Sequence, residues 1–447
     1  MFSAVFCVVL AAGRGSRMRS RVPKVLHPVG GLPLLGHCLK TVQKCGISHI
    51  AVVVSPDLRK VEQHLPSDAG IDTTLLSVVV QDPPRGTGEA VQYARQKMPA
   101  AAQWMLVLYG DTPLVTPEML QSLLRKAQEC PQTGIVLLAM HPKEAAGYAR
   151  LVPTTDGRGI SAVIEAEEAS DHELSLPLCN AGMLLHREVV LNLLHQITPR
   201  QGREVFLTDI VALASANGWH CTYVEESAEA LRGSNTCADL AALEHIFQKH
   251  ARAKAMAHGV ALIAPETVYF SYNTYLEPDV TVFPYVFFDK KVHVGAGSRI
   301  GPFCVLEGVI VGKNVVVGPF ARLRPGTELA DCVRIGNFVE VKNACLAEGA
   351  KVNHLSYIGD AFLGKACNIG AGTITCNYDG VTKHKTTIGD GAFIGSNTAL
   401  VAPVNVGKEA TIGAGSTITH DIPEEALGIT RAELKIVSGF RQRTQSR

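Results

Sequence analysis

The chain has 447 residues, and 42 Lys plus Arg against 41 Asp plus Glu leave a net charge of +1. That length exceeds one ordinary domain and points to two or three separate cores, while the near-balance of charge excludes a nucleic-acid binder that works by bulk charge. Hydrophobic residues at 47% against charged residues at 19% exclude a disordered chain.

The first apolar run, residues 5–12, is too short and wrongly flanked for a signal peptide. No later run reaches the ~20 residues that cross a bilayer. Twelve Cys without a C-x-x-C pair read as reduced, mostly buried thiols rather than disulfides or zinc knuckles. A cytosolic, cytoplasmic protein with no membrane span and no nucleic-acid partner is expected.

Through about residue 230, short apolar runs at 5–10, 50–54, 76–80, 105–109 and 135–140 read as buried strands. Helical patterns fall between them at 33–45, 87–97 and 117–128, the last with Thr116 as N-cap and Pro117 in the first helical position. Alternating strands and helices imply an α/β doubly wound, Rossmann-like, largely parallel sheet. Ligands of such sheets sit beyond the carboxyl ends of the strands. Residues 235–258 are Ala-rich, with Leu240, Leu243 and Phe247 on one stripe, and read as a linking helix. The domains expected are therefore 1–234 and 259–447, joined by that helix.

Beyond Pro265 the period changes to six. Val317, Leu323, Leu329, Ile335 and Val341 form one series, and Ile388, Ile394, Leu400, Val406, Ile412 and Ile418 another. Four residues after each aliphatic stands something small or β-branched, such as Ala321, Thr327, Val333, Thr398, Val404, Ala410 or Ser416. This hexapeptide repeat is the mark of a parallel β-helix. The series breaks at 354–357 and 376–385, which are expected to leave the prism as loops, where a solenoid carries function. The coils over 280–311 slip register and look short.

Strand 5–10 runs into Leu10-Ala11-Ala12-Gly13-Arg-Gly15-Ser-Arg17-Met. A Gly-containing loop after a buried strand wraps phosphate with backbone N–H groups, or is an ordinary strand-to-helix turn. It has neither the dinucleotide spacing nor G-K-[ST]. Arg17 and Lys24 add two cations that suit a triphosphate, or are solvated surface charges. Asp111, in Tyr109-Gly110-Asp-Thr-Pro, stands at a strand's carboxyl end, either to hold Mg²⁺ or to open a turn. Asn235 is a second oxygen ligand or the N-cap of the linking helix.

In the β-helix, His354 is a candidate base for an amine attacking a thioester, because imidazole accepts a proton near neutrality. Arg324 and Lys342 lie one 18-residue coil apart and should stack on one face, either as a sugar-phosphate clamp or as exposed charges. His293, His354 and His384 have no close paired spacing, which speaks against a zinc site. The basic tail, 441–447, reads as a solvated terminus.

Together these motifs, with Gln81, Gly86-Thr87-Gly88 and the hexads, resemble the sugar-nucleotide pyrophosphorylases. Over the whole chain the sequence is similar to the bifunctional N-acetylglucosamine-1-phosphate uridylyltransferase/glucosamine-1-phosphate N-acetyltransferase family. The resemblance implies UDP-N-acetylglucosamine synthesis feeding peptidoglycan and lipopolysaccharide precursors, with Mg²⁺ as cofactor and UTP and acetyl-CoA as co-substrates. It implies that Leu10, Ala11, Ala12, Gly13, Gln81, Gly86, Thr87, Tyr109 and Gly110 hold the nucleotide. Lys24 and Arg17 would neutralise phosphate, Asp111 and Asn235 would bind the metal, and Gly147, Glu165 and Asn180 would contact the sugar. On the β-helix it implies His354 as general base and Arg324, Lys342, Tyr357 and Asn368 for glucosamine-1-phosphate. Ala371, Asn377, Tyr378, Ser396, Ala414 and Arg431 would bind acetyl-CoA, with Lys383 nearby. It also implies left-handed coils and a homotrimer built through the β-helix. The chain departs from the family at Gly147-Tyr-Ala-Arg and at the acidic Glu167 and Glu168. A single-activity nucleotidyltransferase with a structural β-helix and a non-catalytic regulatory homologue are the alternatives; Gly13, Lys24, Asp111 and His354 argue against them.

Overall fold

Seven consecutive apolar residues make Val5–Ala11 (β1) a strand buried on both faces, as a central parallel strand must be. A computed structural model describes residues 2, 4–142, 147–199, 204–438 and 440, which leaves the basic tail 441–447 outside the described residues. The chain divides into two units, Met1–Phe247 and Gln248–Arg447.

In the first unit, β1 is followed by α1 (Leu34–Lys44), β2 (His49–Val54), β3 (Leu76–Val80), α2 (Thr87–Arg95), β4 (Trp104–Tyr109), α3 (Pro117–Gln128) and β5 (Thr133–Met140). These match the runs read from the sequence to within two or three residues at the ends. Pro117 opens α3, and Thr116 Oγ1 accepts from the Met119 N–H at 3.4 Å. Four strands of the main sheet went unread: β6 (Arg150–Pro153), β7 (Ile160–Ile164), β8 (Cys179–His186) and β9 (His220–Glu226). The sheet order is β9-β5-β8-β4-β1-β2-β3, with β6 joined to β8 and β7. Because β8 runs antiparallel between β4 and β5, the sheet is mixed rather than parallel throughout. From β1 the chain goes outward through β2 and β3 and then returns to β4 on the other side of β1. The carboxyl ends of β1 and β4 therefore flank the topological switch point, where doubly wound sheets bind ligands.

The Ala-rich segment forms α4 (Cys237–Ala257). Thr236 caps it in a reciprocal box: Thr236 Oγ1 accepts from the Asp239 N–H at 3.1 Å, and Asp239 Oδ2 accepts from the Thr236 N–H at 2.9 Å. Leu243 packs with Val29 and Leu34 in the first unit. Ala251 and Ala255 pack on the core of the second.

The second unit is a parallel β-helix. Every aliphatic of the two hexad series is buried, and so is every small or β-branched partner from Ala321 to Ser416. Each coil stacks on the next in parallel register, as in Val316↔Arg334 and Arg334↔Lys351. Two readings change. Residues 354–357 do not leave the prism: Lys351–His354 is a strand, Tyr357 opens another, and both stay in register with the coils on either side. The phase slips because the corners at Asn343 and Asp360 are one residue short, with both residues in the left-handed region (φ 46° and 49°). The early slip has the same cause. Gly308, at φ 59°, tightens the corner between buried Leu306 and Val309, and pairing continues unbroken. The 376–385 segment does bulge out: pairing runs through Cys376 and resumes at Thr386, and Ile369 stacks on Ile394 with the extra residues of that coil outside the ladder.

Candidate functional site

In the first unit, the loop after β1 and the turn after β4 frame a cavity of about 640 Å³. Gly110 holds the two together, its N–H donating to the Leu10 carbonyl at 2.9 Å. Leu10, Ala11, Ala12, Gly13, Lys24, Gln81, Gly86, Thr87, Tyr109 and Asp111 all line the cavity, as do Arg14 and Glu204, which the motifs did not single out. Arg17 is exposed on a 3-10 turn and is not among the lining residues. Gly86 (φ 111°) lies so close to the Val205 backbone that a Cβ would meet its carbonyl oxygen at 2.5 Å. Gln81 is buried, and its Nε2 donates to Glu89 Oε2 at 2.9 Å and to the Gly86 carbonyl at 3.1 Å. A carboxylate accepts only, so this orientation leaves the Gln81 amide oxygen available to a ligand.

Lys24 Nζ is paired with Asp111 Oδ2 and donates to Asn235 Oδ1 at 3.2 Å. Asn235 is thus not the helix cap; that role falls to Thr236. Asp239 fixes the Asn235 backbone, its Oδ2 accepting from the Asn235 N–H at 3.1 Å while Arg232 holds Oδ1 at 3.1 Å. Two hard oxygen donors, Asp111 and Asn235, converge on one ammonium. Such a pair suits Mg²⁺, which keeps waters and substrate phosphates as its other ligands. Among the described residues no cluster of three or more His, Cys, Asp or Glu could hold a metal.

Asn180 is buried and bonds the Tyr109 phenol, whose pKa is raised by burial and then by the charges of Glu165 and Asp111. Glu165 accepts from Thr208 Oγ1 at 2.7 Å. Burial pushes its carboxyl up, and Asp209, Glu168 and Glu167 add to the rise. Gly147 sits in an exposed left-handed turn (φ 84°) with open space around its Cα.

On the β-helix, His354 Nδ1 lies 3.0 Å from Asn337 Oδ1, its neighbour in the coil before. That contact makes Nδ1 the protonated nitrogen and leaves Nε2 to act as base. Arg324 and Lys342 do stack on successive coils, yet Arg324 is not a free cation: its Nη1 donates to Glu340 Oε1 at 2.8 Å. Lys342 has its pKa lowered by Lys383, within hydrogen-bonding reach, and by Arg324, with Asp360 opposing. Tyr357 lies over the bare Cα of Gly359, where a methyl would meet the ring at 2.6 Å. Asn368 continues the column of Lys351 on the adjacent sheet. Ala371, Ser396 and Ala414 occupy equivalent corners of successive coils, the Ala371 carbonyl accepting from the Asn397 N–H at 2.7 Å and the Ser396 carbonyl from the Gly415 N–H at 2.8 Å. The Arg431 guanidinium reaches over Gly413, 3.3 Å from where its Cβ would stand. Tyr378 is exposed and donates to the Gly380 carbonyl at 2.6 Å. Asn377 is buried and bonded to Asp360. Glu340, Asn337 and Asp360 escaped the sequence reading because their partners stand 16 or 17 positions away, one coil along.

The described cysteines are all free, with Cys237, Cys332 and Cys345 exposed rather than buried. No helix among the described residues is long and apolar enough to cross a membrane.

Residues 7–253 match the MobA-like NTP transferase domain family. Residues 308–343 match the bacterial transferase hexapeptide (six repeats), and 385–420 the hexapeptide repeat of succinyl-transferase. The β-helix is accordingly of the left-handed hexapeptide kind. The chain is 42% identical to the bifunctional protein GlmU of Paramagnetospirillum magneticum, over 99% of this chain and 96% of that one. It is 43% identical to that of Zymomonas mobilis over 97% and 95%, and 44% identical to that of Azorhizobium caulinodans over 98% and 96%. With its nucleotidyltransferase sheet, its hexapeptide β-helix and full-length likeness to these relatives, the chain belongs to the bifunctional GlmU family.

Proposed function

We propose that the protein makes UDP-N-acetylglucosamine in two steps, one on each unit. The β-helix N-acetylates glucosamine-1-phosphate with acetyl-CoA. The first unit then transfers uridylyl from UTP to N-acetylglucosamine-1-phosphate and releases pyrophosphate. The observation that carries the two-step reading over a single activity is the grouping of Arg324, Lys342 and Lys383 on coils neighbouring His354, since a spacer needs no such cations.

In acetyl transfer, His354 Nε2 takes a proton from the sugar ammonium, and Asn337 keeps the imidazole in the required tautomer. The freed amine attacks the thioester carbonyl; the C–N bond forms, the C–S bond breaks, the nitrogen gives up a second proton to the departing thiolate, and His354 passes the first to solvent. Arg324 and Lys342 hold the phosphate, with Tyr357 and Asn368 about the sugar. Ala371, Asn377, Tyr378, Ser396, Ala414 and Arg431 seat acetyl-CoA.

In uridylyl transfer, a phosphate oxygen of the sugar attacks the α-phosphorus of UTP in line with departing pyrophosphate. Leu10 to Gly13, Gln81, Gly86 and Thr87 orient the nucleotide, Lys24 offsets phosphate charge, and Glu165, Asn180 and Gly147 place the sugar. Asp111 and Asn235 would hold Mg²⁺, which supplies charge neutralisation on the phosphates. Catalysis is then positioning and electrostatics without a covalent enzyme intermediate.

A cytoplasmic homotrimer assembled through the β-helix completes the proposal. It is supported by an exposed ladder of stacked rings, Tyr285, Phe303, Phe320 and Phe338, with centroids 5.0, 4.9 and 5.2 Å apart.

The test follows thiol and pyrophosphate separately with glucosamine-1-phosphate, acetyl-CoA, UTP and Mg²⁺, omitting one substrate at a time. Thiol release without UTP, and pyrophosphate release only once acetylated sugar exists, is the expected result. Pyrophosphate from another sugar phosphate with no thiol would overturn the two-step reading.

A further inference from the structure

Asp360 is a carboxylate where the prism has no need of one. It is buried at a tight corner with φ 49°, a conformation that Gly and Asn adopt at least as readily. Its two oxygens are taken separately: Oδ1 accepts from Asn343 Nδ2 in the coil before, and Oδ2 from Asn377 Nδ2 in the coil after. Asn377 is itself buried and stands at the root of the 376–385 segment, where its carbonyl accepts from the His384 N–H at 2.9 Å. The far end of that segment is braced separately, Asp379 holding the Val381 and Thr382 N–H groups and His384 Nε2. Lys383, the residue before His384, interacts with both Lys342 and Asp360.

An ionised carboxylate offers only acceptors, so each amide bonded to it must turn its nitrogen inward. The Asn377 amide thereby has one allowed orientation, with its oxygen left for a ligand. Burial works to raise the Asp360 carboxyl, but the two amides and then Lys383 and Lys342 hold it below the usual carboxylate range. The group is therefore charged throughout the neutral region, and the orientation it imposes does not lapse.

We infer that Asp360 is a positioning residue of the acetyl-transfer site: it fixes the amide of Asn377 and roots the segment bearing Lys383 against the coil that bears Lys342. This rests on the acetyl-transfer reading above. Stacking the coils does not itself require a buried carboxylate there, since the equally short corner at Gly308, on the same edge of the prism, turns at φ 59° without one.

The experiment compares Asp360→Asn, Asp360→Gly and Asn343→Gly in the full chain, all of which suit a left-handed corner. Asp360→Asn faces Asn377 with a donor and lets its amide flip; Asp360→Gly removes the clamp. Both are expected to raise KM for acetyl-CoA about tenfold with kcat within threefold of wild type. Asn343→Gly, which removes only the other arm, should lower the thermal midpoint while moving that KM less than threefold. An unchanged KM in the two Asp360 variants, or an equal rise in all three, overturns the assignment. Absence of thiol release from the wild-type protein would instead overturn the acetyl-transfer reading itself.

Discussion

Glu340 Oε1 sits 2.8 Å from Arg324 Nη1, so the guanidinium that faces the proposed sugar phosphate is already aimed by a carboxylate on the next coil. Arg324 can serve both partners because its fork presents several donors in one plane, which a lysine cannot do. Arg324→Lys is expected to lower kcat/KM for glucosamine-1-phosphate by about 10- to 100-fold, the worth of a lost hydrogen bond to a charged group. Uridylyl transfer by the same variant should be unchanged, and thiol and pyrophosphate assays on one preparation check both.

Asp111 and His354 belong to different units, so their losses should separate. Asp111→Ala is expected to abolish pyrophosphate release while acetyl transfer continues. His354→Ala should reduce thiol release by about 10²- to 10⁴-fold, the usual contribution of a general base, and spare uridylyl transfer. One substitution silencing both activities would contradict two separate sites.

Lys342 should give acetyl transfer an early alkaline limb. Its pKa is lowered by Lys383 first and Arg324 next, while Asp360 pulls the other way. A lysine is charged below its pKa, so a lowered value means that the cation needed for phosphate is lost at lower pH than in a lone lysine. Lys383→Gln removes the larger opposing charge, and the alkaline limb of kcat/KM for glucosamine-1-phosphate should move to higher pH.

Glu165 sets the opposite limb of the other activity. Burial raises its carboxyl, and Asp209, Glu168 and Glu167 raise it further. A carboxylate exists above its pKa, so an elevated value means that it is lost at higher pH on acidification. If Glu165 accepts from the sugar as its charged form, kcat/KM for N-acetylglucosamine-1-phosphate falls on the acid side sooner than an ordinary glutamate would dictate. Glu167→Gln with Glu168→Gln should shift that limb to lower pH, leaving the part due to burial and Asp209.

Gly336 is wedged against the coil that carries His354; a Cβ there would stand 1.8 Å from the Asn353 carbonyl oxygen. No side-chain rotation relieves a clash with backbone, so Gly336→Ala must displace the Asn353–His354 strand. A stability loss of about 1–3 kcal/mol is expected, read by thermal unfolding, together with a fall in thiol release.

The hexads made the β-helix legible because each buried position repeats along the chain itself: Ile388, Ile394 and Leu400 announce three faces in turn. The same counting misplaced 354–357, since one missing residue at a corner looks, in sequence, like departure from the prism. In the first unit the strands that were read are apolar runs interrupted only at Ser77, while β6 has four residues and is bounded by Arg150 and Pro153. Leu10, Lys24 and Asp111 were found because strand ends and glycines mark them. Asp239, Glu340 and Asp360 were not, because their work is to hold other side chains and their partners are set by stacking or by a cap rather than by any local signal.

The one-residue-short corners and the bulge at 376–385 show that residues are added or removed at the edges of the prism while the ladder keeps its pairing. Strand spacing of about 4.8 Å fixes the axial coordinate of every group on a face, so Arg324, Lys342 and the residues that follow can differ in height only by whole steps. Lateral reach is free to vary with corner length. Height along the axis and overhang from it are therefore independent variables, and a changed substrate can be met by lengthening one corner without moving any group above or below it.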